Sequence, residues 1–457
     1  MVHLRRASPV VAALALFGPA SAGAQTTEEL AAQLNQMRAE LQELRSEVAR
    51  LKQAPPPAVA AGAAAPAASA SAGAAAAAAP GAVATADATD PALMKTAAGR
   101  PDAAESTQRL SLFGYGEMNY SRPRNDASAA SATVKRAVLG WGYQFDDRTR
   151  LAAEFEVENA VASASDSGEA EIEQLYIEHD LKPNLVARAG LFLMPVGYLN
   201  ESHEPTRFYG VNRNLVETAI IPTTWRELGL GFRGTTEGGL RWDLGAVTSF
   251  DLTKWDPTSD EGRISPLGSI HQEGQLAKAR DIGFYGALNY NGIPGFNVGG
   301  SAFGGGVGQK QPGFAAPDAN VTLGEAHVRW QPGKWDFQAL GAVGHFSKVD
   351  ALNATFAGQP TPVPDRFDGW YAQAAYHVWA SGSYAITPFV RYEQVNTAVS
   401  YSGLPLGFGP VPEPNTRVWT LGASFYLNPQ VVFKADYQRF LNNSSLDQFN
   451  VGLGFQF

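Results

Sequence analysis

From Leu110 onward apolar and polar residues alternate in steps of two, the period of a strand whose two faces meet different surroundings. Leu151, Ala153, Phe155 and Val157 interleave with Glu154, Glu156 and Glu158; Ile282, Phe284, Gly286, Leu288 and Tyr290 with Asp281, Tyr285 and Asn289; Val431, Phe433, Ala435 and Tyr437 with Lys434, Asp436 and Gln438. The pattern predicts sixteen strands, beginning near Leu110, Val134, Arg150, Glu171, Leu185, Arg226, Leu240, Asp281, Phe296, Val321, Trp335, Asp368, Tyr384, Thr416, Val431 and Asp447. Their connections alternate in length. Short turns follow the even strands (Asp146-Asp147-Arg148, Lys182-Pro183-Asn184, Thr235 to Gly239, Asn291 to Gly295, Gln331 to Lys334, Ala380 to Ser383, Asn428-Pro429-Gln430), whereas longer connections fall at 195–225, 250–280, 304–320, 347–367 and 396–415. Short turns at one rim and long loops at the other are the habit of a membrane-spanning barrel, and an even strand number brings both barrel ends to the same side. The expected fold is therefore all-β: a 16-stranded antiparallel transmembrane β-barrel over 105–457.

Alternation alone would equally suit a soluble sandwich with its apolar face turned inward. Three features favour the membrane. Aromatic residues gather near strand ends (Tyr143, Phe145, Tyr290, Trp330, Trp335, Phe425, Tyr426), as interfacial girdles require. The last strand runs Phe449, Val451, Leu453, Phe455, Phe457 and finishes on the terminal aromatic. The N-terminus also reads as an export signal over residues 1–24, with Arg5 and Arg6 before the apolar Val10 to Phe17 and small residues Ala22-Gly23-Ala24 at the cleavage site.

Residues 25–53 carry a different period. Leu30, Leu34, Met37, Leu41, Leu44, Val48 and Leu51 are spaced alternately four and three apart, a heptad seam, and Glu40 and Glu47 fall where a parallel neighbour presents Arg45 and Lys52. About three heptads are marginal as a lone helix in water, so the segment is expected to self-associate as a coiled coil that holds a trimer together from the periplasm. Residues 54–104 are rich in Ala, Pro, Gly and Ser with almost no large apolar side chains, which predicts a disordered linker.

Composition narrows the function. With 47 Gly and 11% aromatics among 457 residues the chain suits turns and strands, and the formal net charge of −9 excludes a nucleic-acid partner. Cys is absent, so no thiolate metal site can form. His203-Glu204 lacks a second His at helical spacing and Pro205 follows it, while Gly304 to Gly308 lacks the Lys and helix of a phosphate loop. No Gly-x-Ser-x-Gly elbow or Ser, His and Asp grouping marks a hydrolase. No catalytic residue, metal or cofactor is expected.

A terminal strand closing on Phe resembles the signal by which outer-membrane barrels are recognised for insertion. The segment RAGLFLMPVGYLNESHEPTRFYGVNRNLVETAIIPTTWRELGLGF from Arg188 resembles the corresponding stretch of the phosphate-selective porin O and P family. That resemblance implies a 16-stranded trimeric barrel of the Gram-negative outer membrane whose third external loop, here 195–225, folds into the lumen. The loop's own residues agree, since Tyr198, Phe208, Tyr209, Ile220 and Ile221 are apolar anchors a solvated loop would not need. The Arg and Lys excess expected of phosphate-selective members is missing: alternation turns Arg136, Arg188, Arg233, Arg241, Arg329, Arg391 and Lys434 inward, but also Glu154, Glu156, Glu158, Glu178, Asp243, Glu325 and Asp436.

The expected function is passive diffusion of small hydrophilic solutes or ions through a pore. Glu201, His203, Glu204, Arg207, Arg213 and Glu217 are the candidates for its constriction, facing wall residues such as Arg136 and Arg188 with a transverse field between opposed charges. The alternatives are a salt-bridged loop whose charges only pin it, a barrel serving as an envelope anchor or tether through the coiled coil, and a barrel enzyme.

Overall fold

The computed structural model describes residues 109–161, 168–410, 412 and 414–457. The export signal, the heptad seam and the linker lie outside the described residues. The described chain is one antiparallel sheet closed on itself. Its strands are β1 (Leu110–Pro123), β2 (Ser131–Gln144), β3 (Thr149–Glu158), β4 (Ala170–Lys182), β5 (Leu185–Leu193), β6 (Arg226–Thr235), β7 (Leu240–Thr248) and β8 (Ile282–Ile293). There follow β9 (Phe296–Gly306), β10 (Asn320–Trp330), β11 (Trp335–Ser347), β12 (Arg366–Tyr376), β13 (Tyr384–Ser400), β14 (Thr416–Asn428), β15 (Val431–Phe440) and β16 (Gln448–Gln456). Trp379–Ser381 continues β12 along β13 after a two-residue break, so the barrel has sixteen strands, as the alternation predicts. Each strand pairs with its sequence neighbours, and β1 closes the cylinder against β16 from Tyr115↔Gln456 to Pro123↔Gln448.

The period of two sorts side chains as the sequence suggests. Leu139, Phe155, Leu230, Phe284, Leu288 and Leu421 point outward and are exposed, whereas Arg136, Glu156, Arg241, Asp243, Arg391 and Asp436 are buried. An outer surface this apolar is one that hydrocarbon rather than water would solvate. At the short-turn rim the aromatics touch one another: Trp335 lies 5.4 Å from Phe337 and 4.7 Å from Tyr376, and Tyr384 stacks on Phe425 at 6.1 Å. Nearer the long-loop rim, Tyr392 bridges Trp370 at 5.3 Å and Trp419 at 4.9 Å.

The lumen is not empty. Strand β5 ends at Leu193, and the chain then turns inward through 194–225, hereafter L3, almost every residue of which is buried or half-buried. L3 crosses the barrel to Asp336, the second residue of β11, and to Lys434 on β15, both close to the short-turn rim. The last strand makes room for it: β16 points Phe449, Val451, Leu453 and Phe455 outward and glycines inward. A Cβ on Gly454 would stand only 2.4 Å from Pro205 Cβ, so the loop's path depends on that missing atom.

A second, apolar filling occupies the long-loop end. Trp225 of L3 stacks on Phe250 at 5.1 Å and meets Phe303 edge-on at 4.9 Å. Leu252, Trp255, Leu267 and Ile270 from 249–281, Val307 and Ala316 from 307–319, and Leu352 and Val363 from 348–365 join the same cluster. Each large side chain buried there contributes roughly 1.5–3 kcal/mol, enough to hold these connections inside the cylinder rather than in solvent.

Candidate functional site

L3 is fixed first by its own carboxylate. Glu217 accepts hydrogen bonds from the backbone N–H of Tyr198 and, at 2.6 Å, of Leu199, from Asn214 Nδ2 at 2.7 Å and from the Tyr371 hydroxyl at 3.1 Å. Gly197, at φ 79°, lets the chain pass this group: a Cβ there would lie 2.8 Å from Glu217 Oε1. Asn200 closes the base of the loop. Its side chain donates to the carbonyls of Met194 and Trp225, each at 2.8 Å, and accepts from Trp225 N–H at 2.8 Å.

Wall charges then grip the far side. Asp436 accepts from Val211 N–H at 2.6 Å, Glu393 from Leu215 N–H at 2.5 Å, and Asp336 from the Tyr209 hydroxyl at 2.7 Å. Lys434 donates to Gly210 O at 2.9 Å and lies 3.6 Å above the Phe208 ring. Arg329 is bound through two nitrogens to Asp336, and Arg391 donates to Glu393 at 2.7 Å. Of the candidate wall residues, then, Arg329, Arg391 and Lys434 face the loop or the acids that hold it.

The opposite wall is built differently. A cavity of about 60 Å³ lies between 201–204 and strands β1 and β3 to β6, lined among others by Tyr115, Glu154, Arg188, Glu201, Glu204 and Arg233. On its basic side Arg188 of β5, Arg233 of β6 and Arg241 of β7 converge on Glu201. Arg233 Nη2 is 2.5 Å from Glu201 Oε1, Arg241 Nη2 is bonded to Oε2, and Arg188 Nη1 is 3.6 Å from Oε1. Asp243 of β7 backs two of these arginines, at 2.5 Å from Arg233 Nε and 2.8 Å from Arg241 Nε. The Arg188 guanidinium also sits 4.1 Å above the Phe192 ring. Burial disfavours the charge on Glu201, but Arg233, Arg241 and Arg188 outweigh it and hold this carboxyl well below the usual carboxylate range.

On the acidic side the neighbours are Glu154, which accepts from Gln174 at 2.6 Å, and Glu204, 3.8 Å from Arg207. Beside them a bulge in the pairing of β3 and β4, between Glu154 and Phe155, lets Glu173 turn inward without exposure to solvent. Glu173 Oε1 stands 2.8 Å from His203 Nε2, which is also 2.7 Å from the Tyr115 hydroxyl. His203 Nδ1 faces the carbonyl of Asn200 at 3.0 Å and so carries the hydrogen there. Burial, followed by Arg213 and Arg136, pushes His203 down to about 4, against the opposing pull of Glu204 and Glu156. Arg136 lies 3.0 Å from Glu117 and 3.7 Å from Glu156, and Glu158 is half-buried at the end of β3. Burial and the nearby Arg136 lower Arg213, which makes 3.5 Å hydrogen bonds to Thr223 and Thr224.

The six candidate constriction residues thus occupy separate settings. Glu201, His203 and Glu204 line the cavity, Arg207 pairs with Glu204 from behind, Arg213 is buried near Arg136, and Glu217 staples the loop. Sequence reasoning missed Glu173, because a bulge shifts the alternation by one residue, and missed Asn200, whose loop-closing role no period reveals. Among the described residues no group of three or more His, Asp or Glu side chains is placed to hold a metal ion.

No protein-family model matches the chain. Its fold is that of Salmonella typhi OmpF, solved as a complex with Daunomycin, at a TM-score of 0.53 and 13% identity over 76% of this chain and 97% of that one. An anion-selective porin from Comamonas acidovorans aligns at a TM-score of 0.48 and 12% identity, over 76% of this chain and 98% of its own. The outer membrane channel DcaP of Acinetobacter baumannii aligns at 0.45 and 11% identity, over 76% and 97%. By sequence, the chain is 30% identical over 364 residues, 76% of its own length and 80% of the relative's, to an uncharacterized protein of Aquifex aeolicus (strain VF5), and it belongs to that protein's family.

Proposed function

We propose that the barrel is an outer-membrane pore that passes small hydrophilic solutes or ions by passive diffusion, through a constriction between L3 and the wall of β3 to β7. The observation that carries this reading is the cavity beside residues 201–204: charged side chains line it on both sides, and it is enclosed by a cylinder whose outside is apolar. Such a passage needs no covalent chemistry, only width and wall charge. The opposed Arg188 and Arg233 on one side and Glu204 on the other set a field across it. A resemblance to the phosphate-selective porin O and P family would imply an inward third loop, the path that L3 takes. Phosphate selectivity does not follow, since acids accompany the arginines. Assembly as a trimer, aided by a periplasmic coiled coil at 25–53, belongs to the same proposal.

The test is conductance of the purified full-length protein in a planar lipid bilayer. Stepwise ohmic currents in KCl are expected, and a silent, correctly folded barrel would overturn the reading. One observation favours a second reading, the anchor or tether: the apolar cluster around Trp225, Phe250 and Phe303 fills part of the lumen as a dry plug would. A silent barrel that still binds other envelope components through the N-terminal segment is the result that reading predicts.

A further inference from the structure

We propose that Glu201 is a tethered stand-in for a solute carboxylate, and that Arg188, Arg233 and Arg241 form a cradle that takes the carboxylate end of a small organic acid once the Glu201 side chain swings away. The proposal rests on the pore reading above and names its solute class.

The cradle is built into the wall. Its three arginines stand on consecutive strands β5, β6 and β7, with Val186↔Arg233 and Arg233↔Asp243 in register, so the sheet and not the loop sets their spacing. Glu201 shows what they are shaped for. Its carboxylate places one oxygen on Arg233, with Arg188 nearby, and the other on Arg241, the two-oxygen planar pattern that guanidinium forks recognise. A point anion such as chloride reproduces neither the plane nor the pair of acceptors.

Glu201 differs from Asp243 and Glu217 in standing on L3 with its side chain at the edge of the cavity. Asp243 is fixed on β7 behind the arginines, and Glu217 is held by the amides of its own loop. L3 keeps its base without Glu201, because the neighbouring Asn200 ties Met194 to Trp225. The Glu201 side chain is 21% exposed and that of Arg233 is 23% exposed, and both line the cavity. Three guanidiniums face two carboxylates, so moving Glu201 aside leaves an excess of two positive charges for an incoming anion. The far wall sets the other end of the solute: the Glu204 carboxylate lies across the same cavity, so a second carboxylate is repelled. The class is therefore a short monocarboxylate, with a neutral or cationic far end.

The experiment compares the full-length wild type with Glu201→Gln in bilayers, with acetate, succinate and inorganic phosphate as blockers of the chloride current. Acetate should block Glu201→Gln with a half-blocking concentration at least tenfold below that for wild type. Succinate and phosphate should block it less well, and Arg233→Gln in the same background should remove the acetate effect. Equal block of wild type and Glu201→Gln overturns the cradle, as does stronger block by phosphate, which would mark a site for oxyanions in general. Saturation-transfer NMR of acetate on the detergent-solubilised protein reads the cradle without current. A barrel that conducts nothing would sink the pore reading, and the NMR comparison would still decide whether Glu201→Gln has opened an acetate site. Where Glu201→Gln fails to fold, Glu201→Asp, which keeps the charge on a shorter arm, should show acetate transfer above wild type; none overturns the proposal.

Discussion

Arg233 and Arg391 both project inward from the wall, yet they work in opposite ways. Arg233 meets a loop side chain, Glu201, at the edge of a cavity and keeps a quarter of its own surface open. Arg391 is 2% exposed and directs its Nε to Glu393, which in turn accepts from the backbone of Leu215. The same contrast runs through their neighbours: on β5 to β7 charges converge beside water-accessible space, whereas on β11 to β15 Asp336, Glu393, Lys434 and Asp436 end on polar groups of L3. A wall charge sets a field for a passing ion only where it has a free side. Where a peptide group or another fixed partner saturates it, the charge is a fastening. Near-equal numbers of acids and bases in the lumen therefore do not make the passage electrically neutral, because the two kinds are not equally available.

Breaking the fastened side should have the largest effect. Glu217→Ala removes the acceptor for two backbone amides, Asn214 and Tyr371, and each buried donor left unsatisfied costs about 1–3 kcal/mol. Its heat-dependent mobility shift in electrophoresis should move down by several degrees, and its bilayer currents should become larger and noisier as L3 comes loose. Gly454→Val attacks the same loop from the wall, by driving a side chain into Pro205. Overpacking of this kind costs about 1–3 kcal/mol, and single-channel conductance should rise while the far-UV spectrum stays that of a β-barrel. An unchanged conductance in both variants would mean that L3 does not restrict the passage.

A paired substitution sharpens the comparison with smaller effects. Arg233→Gln should shift the reversal potential in a KCl gradient toward cation preference. Lys434→Met should differ: a lower thermal transition from losing the bond to Gly210 O, with the reversal potential in place. If both moved the reversal potential equally, the division of the lumen into a fastened and an open side would fail.

Much of this architecture was legible in the amino-acid order, because a period of two is set by backbone geometry alone and survives any choice of partner. The strand starts near Leu185, Arg226, Trp335 and Val431 coincide with those observed, and the inward loop was announced by its apolar anchors. Alternation also turned Arg188, Arg233 and Lys434 inward, but it could not say what each would meet. That depends on where L3 crosses the lumen, a matter of long-range packing such as Pro205 on Gly454 or Tyr209 on Asp336. Glu173 escaped for a local reason, since the bulge opposite Glu154 breaks the count on which the reading relied. The apolar filling contributed by 249–281 and 348–365 escaped as well: those connections read as long external loops, and only the structure shows Leu252, Ile270 and Val363 buried inside.

The finest distinction concerns acid. Glu201 is partly buried, which alone would favour its neutral form, but Arg233, Arg241 and Arg188 hold its carboxyl below the unfolded value of roughly 4.3. Between the lowered folded value and the unfolded one, the unfolded chain binds the proton and the fold does not, so stability there rises with pH. The stabilisation by ionised Glu201 is therefore complete above the unfolded value, declines as pH falls below it and is gone below the folded one. Titrating the thermal transition of wild type and of Glu201→Gln should give a constant difference from pH 8 down to about pH 5, which shrinks only in stronger acid. A difference that vanished near pH 6 would show that the three guanidiniums do not govern this carboxylate, and the open side of the lumen would lose the charge pattern that sets it apart from the fastened one.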